Sequence, residues 1–131
     1  MAQAHLGADA LAAQQRRSIL VVDDNADAAQ MLKLVLESVG HDVMVEHRSR
    51  KALALATSAR PAVGILDIGL PDIDGNELAR RLRAQPGTAG MLLIAVTGYG
   101  HERDREQALA AGFDHHLVKP VDVERLMSLL T

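Results

Sequence analysis

The sequence predicts an α/β protein, a five-stranded parallel sheet with five helices on both faces. Three observations carry that reading. From Ser18 onward, short apolar runs bounded by turn residues alternate with stretches whose apolar residues recur at helical spacing. The connections are short, as in βαβ units that cover a parallel sheet. The composition is 48% apolar over 131 residues, yet it holds one Tyr (Tyr99), one Phe (Phe113) and no Trp. The interior must therefore be built from Leu, Val, Ile, Ala and Met, which suits helices packed on a sheet. A chain of this length buries roughly two-thirds of its unfolded surface, enough for one domain with one core.

Residues 1–17, rich in Ala and Gln and closing on Arg16-Arg17, stand outside the alternation. They are expected to form a flexible N-terminal extension, with a short docking helix as the alternative, so that the domain proper is 18–131. Strand one runs from Ser18 to about Val22. Ala29, Leu32, Leu36 and Val39 then mark a helix that stops at Gly40. The stretch Asp42–Glu46 is a short, half-polar strand fit for a sheet edge. Helix two begins at Ser49 as N-cap, turns Ala52, Leu53, Ala56 and Ala59 inward, and ends before Pro61. Strand three is the apolar run that drives into Asp67. Asp74 caps helix three, with Leu78, Ala79 and Leu82 inward, until Gln85-Pro86-Gly87 ends it. Strand four covers residues 91–96. Helix four, about 101–111, offers only alanines and one Leu as core contacts and should be the loosest. Strand five spans 113–118, and Asp122 caps a last helix with Val123, Leu126, Met127 and Leu130 inward.

Composition excludes several classes of function. Without cysteine there is no disulfide, thiolate zinc site or redox pair, so nothing demands an oxidising compartment. A formal charge of −3 argues against nucleic acid or an anionic membrane as the direct partner. No stretch approaches a membrane span, and the N-terminus lacks the pattern of a secretory signal. The expected location is the cytoplasm.

The chemistry lies where the strands end. Strand one ends in Asp23-Asp24, strand three in Asp67, strand four in Thr97, and strand five in Lys119-Pro120. In doubly wound sheets ligands bind at the carboxyl ends of the strands, so these residues share one edge with Asp67 at its centre. Two carboxylates about 4 Å apart repel by ~4 kcal/mol at an effective dielectric of 20, whereas a helix N-terminus recovers only ~0.3–1 kcal/mol. Asp23, Asp24 and Asp67 together need a cation. The ligands available are oxygens, which selects a hard divalent ion, Mg²⁺ first and Mn²⁺ next. Lys119 and the Thr97 hydroxyl are groups suited to surround a phosphoryl group, which points to phosphoryl transfer to Asp67.

Each residue alone has a plainer reading. Asp23 or Asp24 could cap a helix, Thr97 could merely close a strand, and Lys119 could be solvated. Their joint presence at one edge weighs against those readings. His115 and His116, as strand neighbours, point to opposite faces and cannot chelate jointly. The charges from Glu102 to Glu106 read as a solvated helix face. Gly64 removes a side chain from strand three, and the sequence offers no reason for it.

These residues also carry a resemblance. The segments Val-Val-Asp23-Asp24, Leu66-Asp67-Ile-Gly-Leu-Pro71-Asp-Ile-Asp-Gly75, Val96-Thr97-Gly98 and Ala-Gly112-Phe-Asp-His-His116-Leu-Val-Lys119-Pro120 stand in the order seen in receiver domains of two-component response regulators. The chain resembles that family from Ser18 to Thr131. The resemblance implies the flavodoxin-like strand order 2-1-3-4-5, with Asp67 as phosphoacceptor and Asp24 and Asp67 as direct Mg²⁺ ligands. It implies Asp23 as a ligand through water, the Gly69 carbonyl as a further ligand, and Thr97 and Lys119 on phosphoryl oxygens. His116 occupies the family's aromatic switch position, and the Lys119-Pro120 peptide is expected to be cis. The implied donor is a histidine kinase or a histidine phosphotransfer protein. An output partner is expected on the face of helix four, strand five and helix five. Gly69 and Tyr99 occupy positions where receivers vary.

Two other classes remain for comparison. A flavin-binding electron carrier would want a Ser-, Thr- and Gly-rich first loop, where this chain has two acids. A phosphatase with an Asp nucleophile would want a second carboxylate at position 69, which is Gly.

Overall fold

The computed structural model describes residues 16–98 and 100–131. The expected extension up to residue 15, and Tyr99, lie outside the described residues. Strands β1 (Ser18–Val22), β2 (Asp42–Glu46), β3 (Val63–Asp67), β4 (Leu92–Thr97) and β5 (His115–Val118) form one parallel sheet in the order β2-β1-β3-β4-β5. Between them run α1 (Ala26–Ser38), α2 (Ser49–Ala59), α3 (Gly75–Ala84) and α4 (Glu102–Ala111), and α5 (Val123–Leu129) follows β5. The fold class and strand order are those expected.

Alternation along the strands divides the interior in two. Leu20, Val22, Leu66, Leu93 and Ala95 pack with Ala52, Ala56, Leu78, Leu82 and Ala108 beneath α2, α3 and α4. Ile19, Val21, Val63, Ile65, Val96 and Leu117 pack with Ala29, Leu36, Leu126 and Leu130 beneath α1 and α5. The single core expected from length is thus two cores, one on each face. Gly64 also finds its reason here. A Cβ at that position would lie 3.0 Å from Leu93 Cδ2 and 3.1 Å from Met91 Cε, so those side chains fill the space it vacates.

Several local expectations need correction. Ser49 is the first residue of α2, not its cap; Arg48 holds the cap position and makes no side-chain cap bond. Val39 lies past the last turn of α1 and is exposed, and Ala59 is exposed where the chain turns at Arg60 in the left-handed region. On α4 the inward phase is held by Ala108 and Ala111, which leaves Leu109 exposed. Val123 opens the first turn of α5 and is exposed as well. Strand β5 starts later than expected because Gly112, with φ of 113°, turns the chain there. Phe113 enters the core, and the Asp114 carboxylate accepts the Leu93 N–H at 2.8 Å.

Helix α4 is held mainly at its C-terminal end. Arg83 of α3 donates from Nε to the Gly112 carbonyl at 2.9 Å, and its guanidinium also reaches Asp114 at 2.9 Å and the Met91 carbonyl at 2.6 Å. The N-cap His101 makes no side-chain cap bond, and none of residues 102–107 is fully buried. The N-terminal half of α4 is thus weakly packed, but its C-terminal half contacts α3 and β5, so α4 is not the loosest helix, contrary to the expectation. At the opposite edge, Arg17 donates its N–H to His41 Nδ1 at 3.0 Å and its Nε to the Leu130 carbonyl at 2.8 Å. Arg16 pairs with Asp42 at 2.7 Å. These two arginines therefore attach to the domain, although the sequence reading grouped them with the extension.

Candidate functional site

Asp67 is the last residue of β3, 8% exposed, and stands beside Val96 in the sheet register. The turn after it wraps round its carboxylate, since the Gly69 N–H donates to Asp67 Oδ1 at 2.9 Å. The chain then returns to begin α3 hard against the same strand. A Cβ on Gly75 would lie 2.5 Å from the Asp67 carbonyl oxygen, so this close approach requires glycine.

Asp23, 4% exposed, follows β1 and accepts the Asn25 N–H on Oδ1 at 2.9 Å. Asn25 itself caps α1 by accepting from Ala28 N. Capping thus falls to Asn25, and both aspartates are left for other work. Burial pushes the Asp23 carboxyl above the usual range; the Asn25 N–H opposes that rise, repulsion from Asp67 adds to it, and Lys119 reduces it.

Lys119 closes the pocket. Its Nζ donates to Asp67 Oδ2 at 3.1 Å and to Asp23 Oδ2 at 3.3 Å. Burial works against its charge, but the hydrogen bond to Asp67 and the two carboxylate charges prevail and hold its pKa above the ordinary lysine value. Its backbone N–H donates to the Thr97 carbonyl at 2.7 Å, which ties the ends of β5 and β4 together. Thr97 is 4% exposed. The Lys119-Pro120 peptide is cis, as the resemblance implied.

One carboxylate oxygen from each of Asp23, Asp24 and Asp67 lies within 4.8 Å of the others, with Asp24 exposed at the rim. Three oxygens of this charge, two of them on buried side chains, suit one hard cation that keeps some of its water. The donor set therefore fits Mg²⁺ or Mn²⁺. A cleft of about 290 Å³ between α1 and the β5–α5 connection opens onto Asp23, Asp67 and Lys119, walled by Met31, Leu32, Val35, Pro120 and Val121.

His116 lies apart from the carboxylates. It follows His115 in β5 and takes the opposite face by alternation, which rules out joint chelation as the sequence suggested. Its Nε2 is buried without a hydrogen-bond partner among the described residues. Burial lowers its pKa, with Asp104 and Glu102 opposing and Arg105 reinforcing.

Sequence reasoning missed a set of contacts behind Asp67. The Asp72 carboxylate, in the β3–α3 loop, accepts the backbone N–H groups of Ser49 and Arg50, each at 3.3 Å. The fully buried Ser49 Oγ donates to the Ile73 carbonyl. Only the polar character of Leu-Pro-Asp-Ile-Asp hinted at this, because the partners lie more than twenty residues apart.

A carboxylate pocket ready for a cation, set at the switch edge of a 2-1-3-4-5 sheet, defines a doubly wound α/β protein with its site at the strand ends. Residues 19–131 match the response regulator receiver domain, and the chain belongs to that family. A 14.6 kDa protein from Leptolyngbya boryana is 39% identical over 112 residues, 86% of each chain. RpaA of Synechocystis sp., described as a DNA-binding dual master transcriptional regulator, is 34% identical over 110 residues, 84% of this chain. The chain spans 46% of RpaA and 50% of the phosphate regulon regulator PhoB of Pseudomonas aeruginosa. Among solved structures, a putative response regulator from Chloroflexus aurantiacus superposes with a TM-score of 0.82 at 30% identity, covering 88% of this chain and 98% of that one. The chemotaxis response regulator CheY4 of Vibrio cholerae gives a TM-score of 0.82 at 30% identity, covering 88% and 96%.

Proposed function

We propose that this domain accepts a phosphoryl group from phosphohistidine onto Asp67 and passes the change to a partner. The observation that carries the reading is the Lys119 ammonium bridging Asp67 and Asp23, with Asp24 completing a cluster that only a cation would balance. An Asp67 oxygen attacks phosphorus in line; the new O–P bond forms as the N–P bond to the donor imidazole breaks, and that imidazole leaves as the neutral ring after taking a proton. Mg²⁺ or Mn²⁺, held by Asp24 and Asp67 directly, by Asp23 through water and by the Gly69 carbonyl, would supply charge neutralisation at the phosphoryl oxygens. Lys119 pairs with one of those oxygens and the Thr97 hydroxyl bonds another. The chain promotes its own phosphorylation and dephosphorylation and turns over no separate substrate.

The donor is a histidine kinase or a histidine phosphotransfer protein. The cleft beside α1 supports this, since its apolar walls lead directly to Asp67 and leave Met31 and Val123 exposed at the approach. The output partner binds the α4, β5 and α5 face, where the first turns of α4 carry no side-chain cap bond and Val118 is exposed. The domain acts in the cytoplasm and touches neither membrane nor nucleic acid itself; its charge of −3 and the acidic site edge support that reading. Among the described residues no helix is long and apolar enough to cross a membrane.

Incubation with a small phosphodonor and Mg²⁺ tests the proposal by intact mass. The wild type should gain one phosphoryl adduct only when the metal is present, none forming in a chelator, and Asp67→Asn should gain none. An adduct of the same mass on the Asn variant refutes the assignment. Flavin absorbance of the purified protein and turnover of phosphomonoesters test the two other classes.

A further inference from the structure

The loop that carries Gly69 is not held by its own ends alone. At its start, Ile68 N–H donates to the Val96 carbonyl at 3.1 Å, and at its end Gly75 N–H returns to the Ile68 carbonyl at 2.9 Å. Between those points the loop bulges toward the N-terminus of α2. There Asp72 bridges two backbone N–H groups, one oxygen to Ser49 and the other to Arg50, while Ser49 Oγ grips the Ile73 carbonyl. Helix α2 lacks a side-chain cap of its own at Arg48, so Asp72 fills that role from 23 residues away. Hydrogen bonding to the Ile73 N–H, then to the N–H groups of Arg50 and Ser49, holds the Asp72 carboxyl well below the usual range although burial opposes it. The carboxylate is therefore ionised at physiological pH, the form in which both of its oxygens accept.

We propose that Ser49 and Asp72 are positioning residues for the chemistry at Asp67. They clasp the β3–α3 loop to α2 so that the Gly69 peptide stays seated on Asp67. The seat matters because the Gly69 N–H occupies Asp67 Oδ1 and leaves Oδ2 beside Lys119, and because the Gly69 carbonyl, on the next peptide unit, is the one that the functional reading gives to the cation. Neither Ser49 nor Asp72 touches a reacting atom. Their effect passes through one loop, and the inference rests on the phosphoacceptor reading of that site.

The test uses the full chain and reads the loop directly. Amide exchange at Gly69 and Mg²⁺ titration, both followed by NMR, are compared in wild type, Ser49→Ala, Asp72→Ala and Asp72→Asn. Thr88→Val is the matched control: Thr88 is also buried, and its Oγ1 donates to the Leu82 carbonyl at 2.6 Å in the connection before β4. Loss of a positioning contact behind a metal ligand weakens metal binding by about tenfold or more. Ser49→Ala and Asp72→Ala should each speed Gly69 exchange and weaken Mg²⁺ binding by about that factor, with β1 and β4 amides still protected. Asp72→Asn keeps one acceptor and should fall between. Thr88→Val should lower stability while leaving Gly69 exchange and Mg²⁺ affinity unchanged. Because Asp72 is exposed, its variants fold even if Ser49→Ala does not. Wild-type Gly69 protection and Mg²⁺ affinity in Asp72→Ala overturn the inference, and so does a loss of protection spread evenly over the strands. If the wild type accepts no phosphoryl group, the functional reading fails, while Gly69 exchange still reports whether the clasp holds the loop.

Discussion

Asp23→Asn should make the metal-free protein more stable, although it deletes a buried group that bonds Lys119. Asp23 gains from Lys119 at 3.3 Å about 5 kcal/mol at an effective dielectric of 20. It loses about 3.5 kcal/mol to each carboxylate at the 4.8 Å limit of the cluster. Solvent screens both the attraction, because Lys119 is a third exposed, and the repulsion from the exposed Asp24. Asn retains an oxygen for the Asn25 N–H and removes the burial penalty, the largest cause of the raised Asp23 pKa. The net gain should be on the order of 1–2 kcal/mol, which raises Tm by about 4–8 °C. The folded pKa of Asp23 lies above its unfolded value, so ionised Asp23 opposes folding above that pKa and ceases to do so as pH falls through it. The advantage of the Asn variant should therefore be full at neutral pH and shrink on acidification. Thermal unfolding in a chelator from pH 7.5 downward measures this, and a second series with Mg²⁺ should stabilise the wild type more than the variant. An Asn variant that melts below the wild type in chelator at neutral pH would show that pairing with Lys119 outweighs burial and repulsion together.

Three further outcomes follow from individual positions. Gly69 is exposed, and a Cβ there would meet only Asp67 Oδ1, at 3.6 Å, so Gly69→Arg folds and shields the aspartyl phosphate; its decay should slow severalfold, and unchanged or faster decay contradicts the reading. Gly64→Ala pushes a methyl against Leu93 and Met91 and should cost about 1–3 kcal/mol in urea unfolding while leaving phosphorylation intact, whereas an unchanged midpoint means those side chains yield freely. Burial favours the neutral His116 ring, so the response to a phosphoryl mimic with Mg²⁺, read through the fluorescence of Tyr99, the sole Tyr, should fade in the wild type as pH falls toward 5.5; His116→Phe should retain it, and equal loss in both proteins assigns the effect to the acidic cluster or the mimic.

The site was legible because it is written where strands stop. Asp23, Asp24, Asp67, Thr97 and Lys119 each terminate an apolar run, and a parallel sheet delivers such endings to one edge whatever the helices do. Strand order was not legible from periodicity, which says nothing about neighbours; it came from the family resemblance. Ser49 illustrates the limit of local rules. Its position before an apolar helical run reads as a cap, yet its hydroxyl serves a carbonyl in a distant loop, and the cap comes from Asp72. Gly64 was opaque for a related reason, since the side chains that fill the space of its missing methyl are Leu93 of β4 and Met91 just before that strand. Val39 and Leu109 matched the helical period but fell at a helix end or off the packed face, where period alone cannot tell inward from outward.

Arg83 gives helix α4 a fulcrum. With Gly112 pinned from α3 and the last turn seated through Ala108 and Ala111, the less held end of that helix is the one that follows Thr97 in the chain. A displacement about that pivot would be largest beside Thr97 and would die away toward Gly112. Cutting the Arg83 anchor would remove that pivot, so that neither end of α4 would be held more firmly than the other.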